Sequence, residues 1–275
     1  MPNTIDTFRE LHQSGCFVLP NPWDTGSAVY LHHLGFKALA TTSSGFAFSR
    51  GLPDDIHANP RDAVLAHFRE IVAATPLPVN ADFQNGHADE PERVAENVAL
   101  CVTTGVAGLS VEDSTGNQSK PLYDLDLAVE RIKAARRAID ESGVQVVLTA
   151  RCEAWLVADT DPFATSMKRL TAYAEAGAEC LYAPGATDLN EISAIVKAVS
   201  PKPVNVIVHR RHPDLTVSKL ADLGVRRISV GSALARVAWG AFMRAAQEIA
   251  AEGTFTAFGD AASGQELNEL FRARR

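Results

Sequence analysis

Eight times over, this chain sets a short apolar run before a longer stretch with helical spacing, and that alternation restricts the fold more than any other feature. The runs are Phe17–Leu19, Lys37–Thr41, Leu77–Ala81, Gly108–Val111, Val144–Ala150, Cys180–Ala183, Val204–Val208 and Arg227–Val230. They are apolar almost throughout rather than at every second residue, so both faces need cover, which is the condition of a parallel sheet wrapped by helices. Punctuation agrees: Gly35 and Gly105 end helical stretches, and Pro60 and Pro91 open them. With 275 residues to hand, the expectation is an α/β protein closed into a (β/α)8 TIM barrel. An open doubly wound sheet is the alternative, but it would usually carry a glycine-rich turn after its first strand, where this chain has Asn21-Pro22-Trp23-Asp24.

A first helix is expected from Thr4 to about Ser14, capped by Asn3 or Thr4, and the link Thr42 to Asn59 reads as one long polar connection. The barrel domain is drawn over residues 1–252. A polar, glycine-rich tail, residues 253–275, carries a short helix from Ser263 to Arg272. With little barrel left to cover, that C-terminal extension is expected to pack on a neighbouring subunit.

In such a barrel the reacting groups sit on the loops after the strands. Polar residues collect there: Ser44 and Gly45 after the second run, Asp82 after the third, Glu112 after the fourth and Arg151 after the fifth. Asp82 and Glu112 are hard oxygen ligands for a divalent cation, best magnesium, which takes few carboxylates and keeps several waters. Such an ion could polarise a carbonyl and stabilise an adjoining enolate. Arg151 is a planar fork matched to a carboxylate or phosphate, and Ser44 with Gly45 adds a hydroxyl and backbone N–H groups for a second oxyanion. Together they describe a site for a small carboxylic acid with a carbonyl beside its acid group. Trp23, Phe46, Trp155 and Tyr182 are the large side chains expected to set its size. Each residue also has a plainer reading: an isolated carboxylate after a strand is more often a cap or a solvated loop residue, and Asp24 and Asp113 are assigned to structure on that ground. His87 and the basic run His209 to His212 are left between a role at the site and simple solvation.

Composition removes other classes. A formal charge of -7 offers no basic face to nucleic acid or anionic membrane, and no apolar run approaches the roughly 20 residues of a membrane span. Four scattered cysteines, Cys16, Cys101, Cys152 and Cys180, show no zinc spacing and are expected to be free thiols. A soluble, cytoplasmic protein is the expectation.

One set of segments resembles the isocitrate lyase and phosphoenolpyruvate mutase superfamily. The carriers are Thr42-Ser43-Ser44-Gly45, Leu52-Pro53-Asp54, Ala81-Asp82 with Gly86, Ser110-Val111-Glu112-Asp113 and Thr149-Ala150-Arg151, in order over about Asn21 to Ser232. The resemblance implies a barrel with Mg2+ at its mouth stabilising the enolate or 2-oxo form of a small acid. It implies that Ser44 and Gly45 hold the substrate carboxylate, that Asp82 and Glu112 hold the metal or its waters with Asp54 joining that shell, and that Arg151 grips the acid group. It also implies exchange of a C-terminal helix between subunits in a homodimer or homotetramer.

This chain departs from the family pattern at three places. The usual Asp-Ala-Asp is Asn80-Ala81-Asp82, so an amide that can coordinate through oxygen replaces a carboxylate, and metal affinity should be lower. The Lys-Lys/Arg-Cys-Gly-His signature of isocitrate and methylisocitrate lyases is missing from the loop Ser114 to Pro121, which argues against those two reactions. Tyr182-Ala183-Pro184-Gly185 lacks the Glu or His many relatives carry there, leaving a less charged far wall. Gly116 makes the loop after the fourth strand a candidate gate that could bring in Asn117 and Lys120, with Lys120 as acid or as a cation over developing charge. The leading expectation is a magnesium-dependent carbon–carbon lyase of a small 2-oxo or 2-hydroxy acid. The alternatives are P–C chemistry on phosphonopyruvate or phosphoenolpyruvate, and a 2-oxo-acid-binding protein without turnover.

Overall fold

The computed structural model describes residues 3–272, so the outermost ends of the two segments drawn from sequence, at 1 and 275, lie outside the described residues. Eight parallel strands form one sheet in the order β1-β8-β7-β6-β5-β4-β3-β2. They are β1 (Phe17–Leu19), β2 (Leu39–Ala40), β3 (Val79–Asp82), β4 (Gly108–Glu112), β5 (Val147–Arg151), β6 (Cys180–Tyr182), β7 (Val204–Ile207) and β8 (Arg227–Ser229). Where β1 and β2 face each other, the Ala40 N–H donates to the Pro20 carbonyl at 3.0 Å, so the sheet closes on itself as a (β/α)8 barrel. Parallel pairing of successive strands leaves room for a helix in every crossover, and each apolar run is covered as its composition demands.

The helices are α1 (Thr4–Leu11), α2 (Thr25–His33), α3 (Ser43–Ser49), α4 (Arg61–Ala74), α5 (Pro91–Val102), α6 (Leu125–Glu141), α7 (Pro162–Glu175), α8 (Leu189–Ala198), α9 (Val217–Asp222), α10 (Ala233–Glu252) and α11 (Gly264–Arg272), with a 3-10 turn at Thr256–Asp260. Local chemistry sets their ends. The Asn3 side chain accepts from the Ile5 N–H at 3.1 Å, and Asp24 forms a reciprocal capping box with Ser27. Pro91 and Pro162 open α5 and α7, where a missing N–H costs no helix bond.

Side chains point alternately to the barrel interior and to the helices. The outward set joins the helices in the main core, with Phe68, Phe83, Leu109, Ile139, Leu148 and Leu181 all buried. Inside, Phe8 of α1 plugs the lower end against Phe17, Ala38, Val147 and Cys180. Above that plug the interior turns polar. Arg227, 2% exposed, donates to Asn205 Oδ1 at 2.9 Å, Thr149 Oγ1 at 3.0 Å and His12 Nε2 at 3.3 Å. The cleft at the strands' C-terminal ends rests on this layer.

One expectation is corrected. The connection Thr42 to Asn59 contains a helix, α3, because Thr42 caps it through the Gly45 N–H at 3.2 Å and Phe46 and Ala47 have a core to enter. The tail helix lies beside α2 of its own chain, where Phe271 Cζ comes within 3.7 Å of the position a Cβ on Gly26 would take. No described helix is long and apolar enough to cross a membrane.

Candidate active site

Asp82, Glu112 and Arg151 are the last residues of β3, β4 and β5, three neighbouring strands, and Glu112 pairs directly with Arg151 in the ladder. All three therefore point into one mouth. Arg151 Nη1 lies 3.4 Å from Asp82 Oδ1 and 3.3 Å from Glu112 Oε2. A third carboxylate completes the ring: Glu153 takes the Nε–H of Arg151 on one oxygen and Nη2 at 3.2 Å on the other. Tyr182, next along the sheet, puts its ring 5.3 Å from the guanidinium carbon.

Second contacts lock this cluster. Asp82 Oδ2 accepts the Ser43 N–H at 2.9 Å, and its own N–H donates to Thr41 Oγ1 at 2.9 Å. The Glu153 N–H donates to Asp113 Oδ1 at 2.8 Å, while Asp113 Oδ2 accepts from Tyr173 at 2.6 Å and Arg169 at 3.0 Å. Asp113 is thus neither cap nor solvated; it is a buried strut joining the mouth to α7.

Burial first, then Glu153, Asp82 and Asp113 working against the charge of Arg151, raises the Glu112 carboxyl well above its ordinary range. Burial also raises Glu153, and burial with the nearby Asp82 raises Asp54. Burial opposes the charge of Arg151, but Glu153, Glu112, Tyr182 and Asp82 outweigh it and hold the guanidinium protonated. Three carboxylates against one guanidinium leave two negative charges in excess when all are ionised, an environment that draws a cation.

Among the described residues no group of three or more His, Cys, Asp or Glu forms a cage for a metal ion. Magnesium asks for less, because one or two carboxylates with waters suffice. The donor set suits it. Asp82 and Glu112 line the cleft with Asn80, whose buried Oδ1 has no hydrogen-bond partner among the described residues, and Gln84 Oε1 is in the same condition. Two unmatched acceptor oxygens beside two carboxylates are oxygens that a cation or its waters would satisfy.

The cleft, about 490 Å³, is also lined by Ser44 and Asp54, so these two sequence candidates share it with Asp82, Glu112, Arg151 and Asn80. Four others are placed away from it. Gly45 is buried and its N–H is taken by Thr42; a Cβ there would lie 2.5 Å from Thr42 Cγ2 and 3.1 Å from Trp23 Cβ, so its small size serves packing. Phe46 turns into the core and stacks on His67 at 4.2 Å, because the winding of α3 carries it inward. Trp23 packs its Cβ over Gly45, outside the cleft lining. Lys120 pairs with Asp124 at 2.6 Å on an exposed surface, as a solvated lysine does. His87 is half-buried against Phe83 rather than fully solvated, and this partial burial lowers its pKa to about 4.

Ser114 and Gly116 do reach the cleft, and the position of a Cβ on Gly116 is already occupied by Ile56, with His57 Nε2 at 3.3 Å. Two loops meet there as lips. Sequence reasoning missed Glu153, Gln84, Arg227 and Arg236. Two signals were present: the Arg-x-Glu spacing that lets a carboxylate fold back on its guanidinium, and a charge, Arg227, inside an apolar run.

A family model described as phosphoenolpyruvate phosphomutase matches residues 8–250. A crystal structure from Burkholderia cenocepacia J2315, provisionally named a lyase/mutase, is 48% identical with a TM-score of 0.92, over 98% of this chain and 95% of that one. An uncharacterized protein of Mycobacterium tuberculosis is 36% identical over 82% of this chain and 82% of its own length. The 2-methylisocitrate lyase of Escherichia coli is 30% identical over 72% of this chain and 68% of its own.

Proposed function

This chain belongs to the phosphoenolpyruvate phosphomutase family of lyases and mutases, and on that footing we propose that it cleaves a carbon–carbon bond in a small 2-oxo or 2-hydroxy acid by way of an enolate. The observation that carries the reading is the convergence of Asp82, Glu112 and Arg151 in one cleft with an excess of negative charge. Asp82 and Glu112, with the Asn80 amide oxygen, would hold magnesium, which when bound would supply positive charge to stabilise an enolate oxygen. Arg151 stays protonated and directs a fixed cation at the same place, and Glu153 holds its plane. Ser44 offers a hydroxyl to the acid group, and Asp54, whose carboxyl burial and Asp82 raise, is a candidate to carry a proton at the lip of the cleft. The lips at Gly116 and Ile56 would keep water from the carbanion.

The reading excludes a standard isocitrate or methylisocitrate lyase, since loop 114–121 brings no cysteine acid to the cleft. It carries a cytoplasmic location, consistent with four unpaired cysteines, and assembly as a homodimer or homotetramer through the apolar face of α10 and the tail, where Val237, Phe242, Phe255 and Phe258 are each more than half exposed. Nucleic acid and membrane have no place in it.

Purified protein with Mg2+ is tested against 2-oxo and 2-hydroxy acids by proton NMR for a new carbonyl product. Asp82→Ala and Arg151→Ala should each abolish turnover while the barrel stays folded by circular dichroism. Wild-type rates in both variants reject the reading. Phosphate released from phosphonopyruvate, with no carbon–carbon cleavage, moves the assignment to P–C chemistry.

A further inference from the structure

Between β3 and α5 the chain turns at residues 83–89, and every backbone carbonyl of that turn is engaged. Those of Phe83 and Gln84 accept the N–H groups of Gly86 and Glu112, each at 2.9 Å. Asn97 of α5 donates to the Gly86 and His87 carbonyls at 2.8 and 3.2 Å, and the buried Arg131 of α6 donates to those of Asn85, Ala88 and Asp89. Tied down in this way, the turn holds two residues other than glycine in the left-handed region, Gln84 at a φ of 47° and His87 at 52°. Such a backbone is costly for a residue with a side chain and persists only where its surroundings over-determine it. Inside the protein, Gln84 has nothing to offset that cost: it is 5% exposed, and its buried Oε1 has no hydrogen-bond partner among the described residues.

Gln84 lines the cleft together with Asn80 and Glu112. A strained backbone and an unmatched buried amide, both at one residue on the cleft wall, point to a contact made when the cleft is filled. An amide oxygen accepts and cannot donate, so its partner has to bring a hydrogen. Of the two acid classes in the reading above, an ionised 2-oxo acid has none to offer, because carbonyl and carboxylate oxygens only accept. A 2-hydroxy acid has one, on the hydroxyl beside its carboxylate. We infer that Gln84 is a specificity-determining residue whose Oε1 accepts a hydrogen bond from the substrate hydroxyl, and that the chain selects 2-hydroxy acids over 2-oxo acids. Asn80 Oδ1, the other unmatched oxygen, stays with the cation. The inference rests on the reading above and narrows its substrate class.

The test compares acids that differ only in that hydroxyl. Calorimetry in Mg2+ sets 2-hydroxybutanoate against 2-oxobutanoate and 2-hydroxyglutarate against 2-oxoglutarate, each hydroxy acid as its separate enantiomers, for wild type, Gln84→Gly and Gln84→Met. Both substitutions remove the amide, and glycine takes a φ of 47° without strain, so Gln84→Gly should melt no lower than wild type. At least one hydroxy acid should bind wild type roughly ten- to a hundredfold tighter than its oxo partner, the range for leaving a buried acceptor unmatched. Gln84→Gly and Gln84→Met should level the pair by weakening the hydroxy acid. Mg2+ affinity in the presence of oxalate, which has no hydrogen to donate, should be the same in Gln84→Gly as in wild type. Oxo acids that bind wild type as tightly as hydroxy acids, or a preference that survives Gln84→Gly, overturn this inference alone. So does weaker Mg2+ binding in Gln84→Gly, which would give the amide to waters on the ion. Failure of every acid to bind wild type overturns the functional reading and this inference with it.

Discussion

Asp113→Asn separates a structural strut from a cap. Asp113 is 3% exposed and accepts three hydrogen bonds, from the Glu153 N–H, Tyr173 and Arg169. An amide keeps one acceptor oxygen. Facing Tyr173 and Arg169, it opposes its NH2 to the Glu153 N–H; reversed, it opposes NH2 to the two side chains. Either way one buried donor is unmatched and Arg169 loses its only carboxylate among the described residues. Breaking a buried pair costs about 3–5 kcal/mol, and Arg169 retains the Tyr123 carbonyl at 2.7 Å, so the lower end, about 3 kcal/mol, is expected. At about 2–4 °C per kcal/mol for a chain near this size, the melting midpoint should fall by about 6–12 °C. Asp24→Ala removes an exposed cap instead, worth about 1 kcal/mol. Calorimetric melting of both variants decides. If Asp113→Asn melts within about 3 °C of wild type, or no lower than Asp24→Ala, the strut is not what holds Glu153.

Glu153→Gln should loosen Arg151 without stranding it, since Asp82 and Glu112 remain, and lower stability by about 1–2 kcal/mol in chemical denaturation; an unchanged midpoint would mean the fork contributes little. Burial lowers the pKa of His12 to about 3 and of His67 and His87 to about 4, so nitrogen NMR should find these three neutral at pH 5. Their unfolded counterparts take up protons near pH 6.5 and the folded ones do not, so these residues contribute stability that is lost as pH falls from about 6.5 towards 4, at about 1.4 kcal/mol per pH unit for each. Normal titration of all three would refute the burial argument. Gly116→Ala sets a Cβ against Ile56 at a φ of +75°, and should make residues 114–120 more sensitive to limited proteolysis with little change in global melting; unaltered cleavage would mean the lips do not close there.

Much of this molecule is legible in the residues themselves. All eight strands fall within or beside the apolar runs, because a strand buried on both faces has no polar alternation to obscure it, and Gly35, Gly105 and Pro91 punctuate as their backbone chemistry requires. The strand-end carboxylates and Arg151 are legible for a related reason: a charge just past an apolar run has one place to go in a barrel. What was lost is what depends on winding and distance. Thr42-Ser43-Ser44-Gly45 reads as turn chemistry, yet a core contact for Phe46 converts it into α3 and takes that ring away from the cleft. Arg236 sits in a long helix whose sequence shows no sign that its first turn borders the cleft. Asp113 and Asp24 look alike as isolated carboxylates, and only burial distinguishes strut from cap.

The most direct measurement is titration of oxalate, a planar dianion shaped like the enolate of pyruvate, into wild-type protein and Asp82→Ala with and without Mg2+. Oxalate should bind wild type tightly only when Mg2+ is present, and Asp82→Ala should lose that dependence together with most of the affinity. Equal binding with and without the cation, or undiminished binding to the variant, would contradict a mouth in which Asp82 and Glu112 bring a divalent ion to an organic anion beside Arg151.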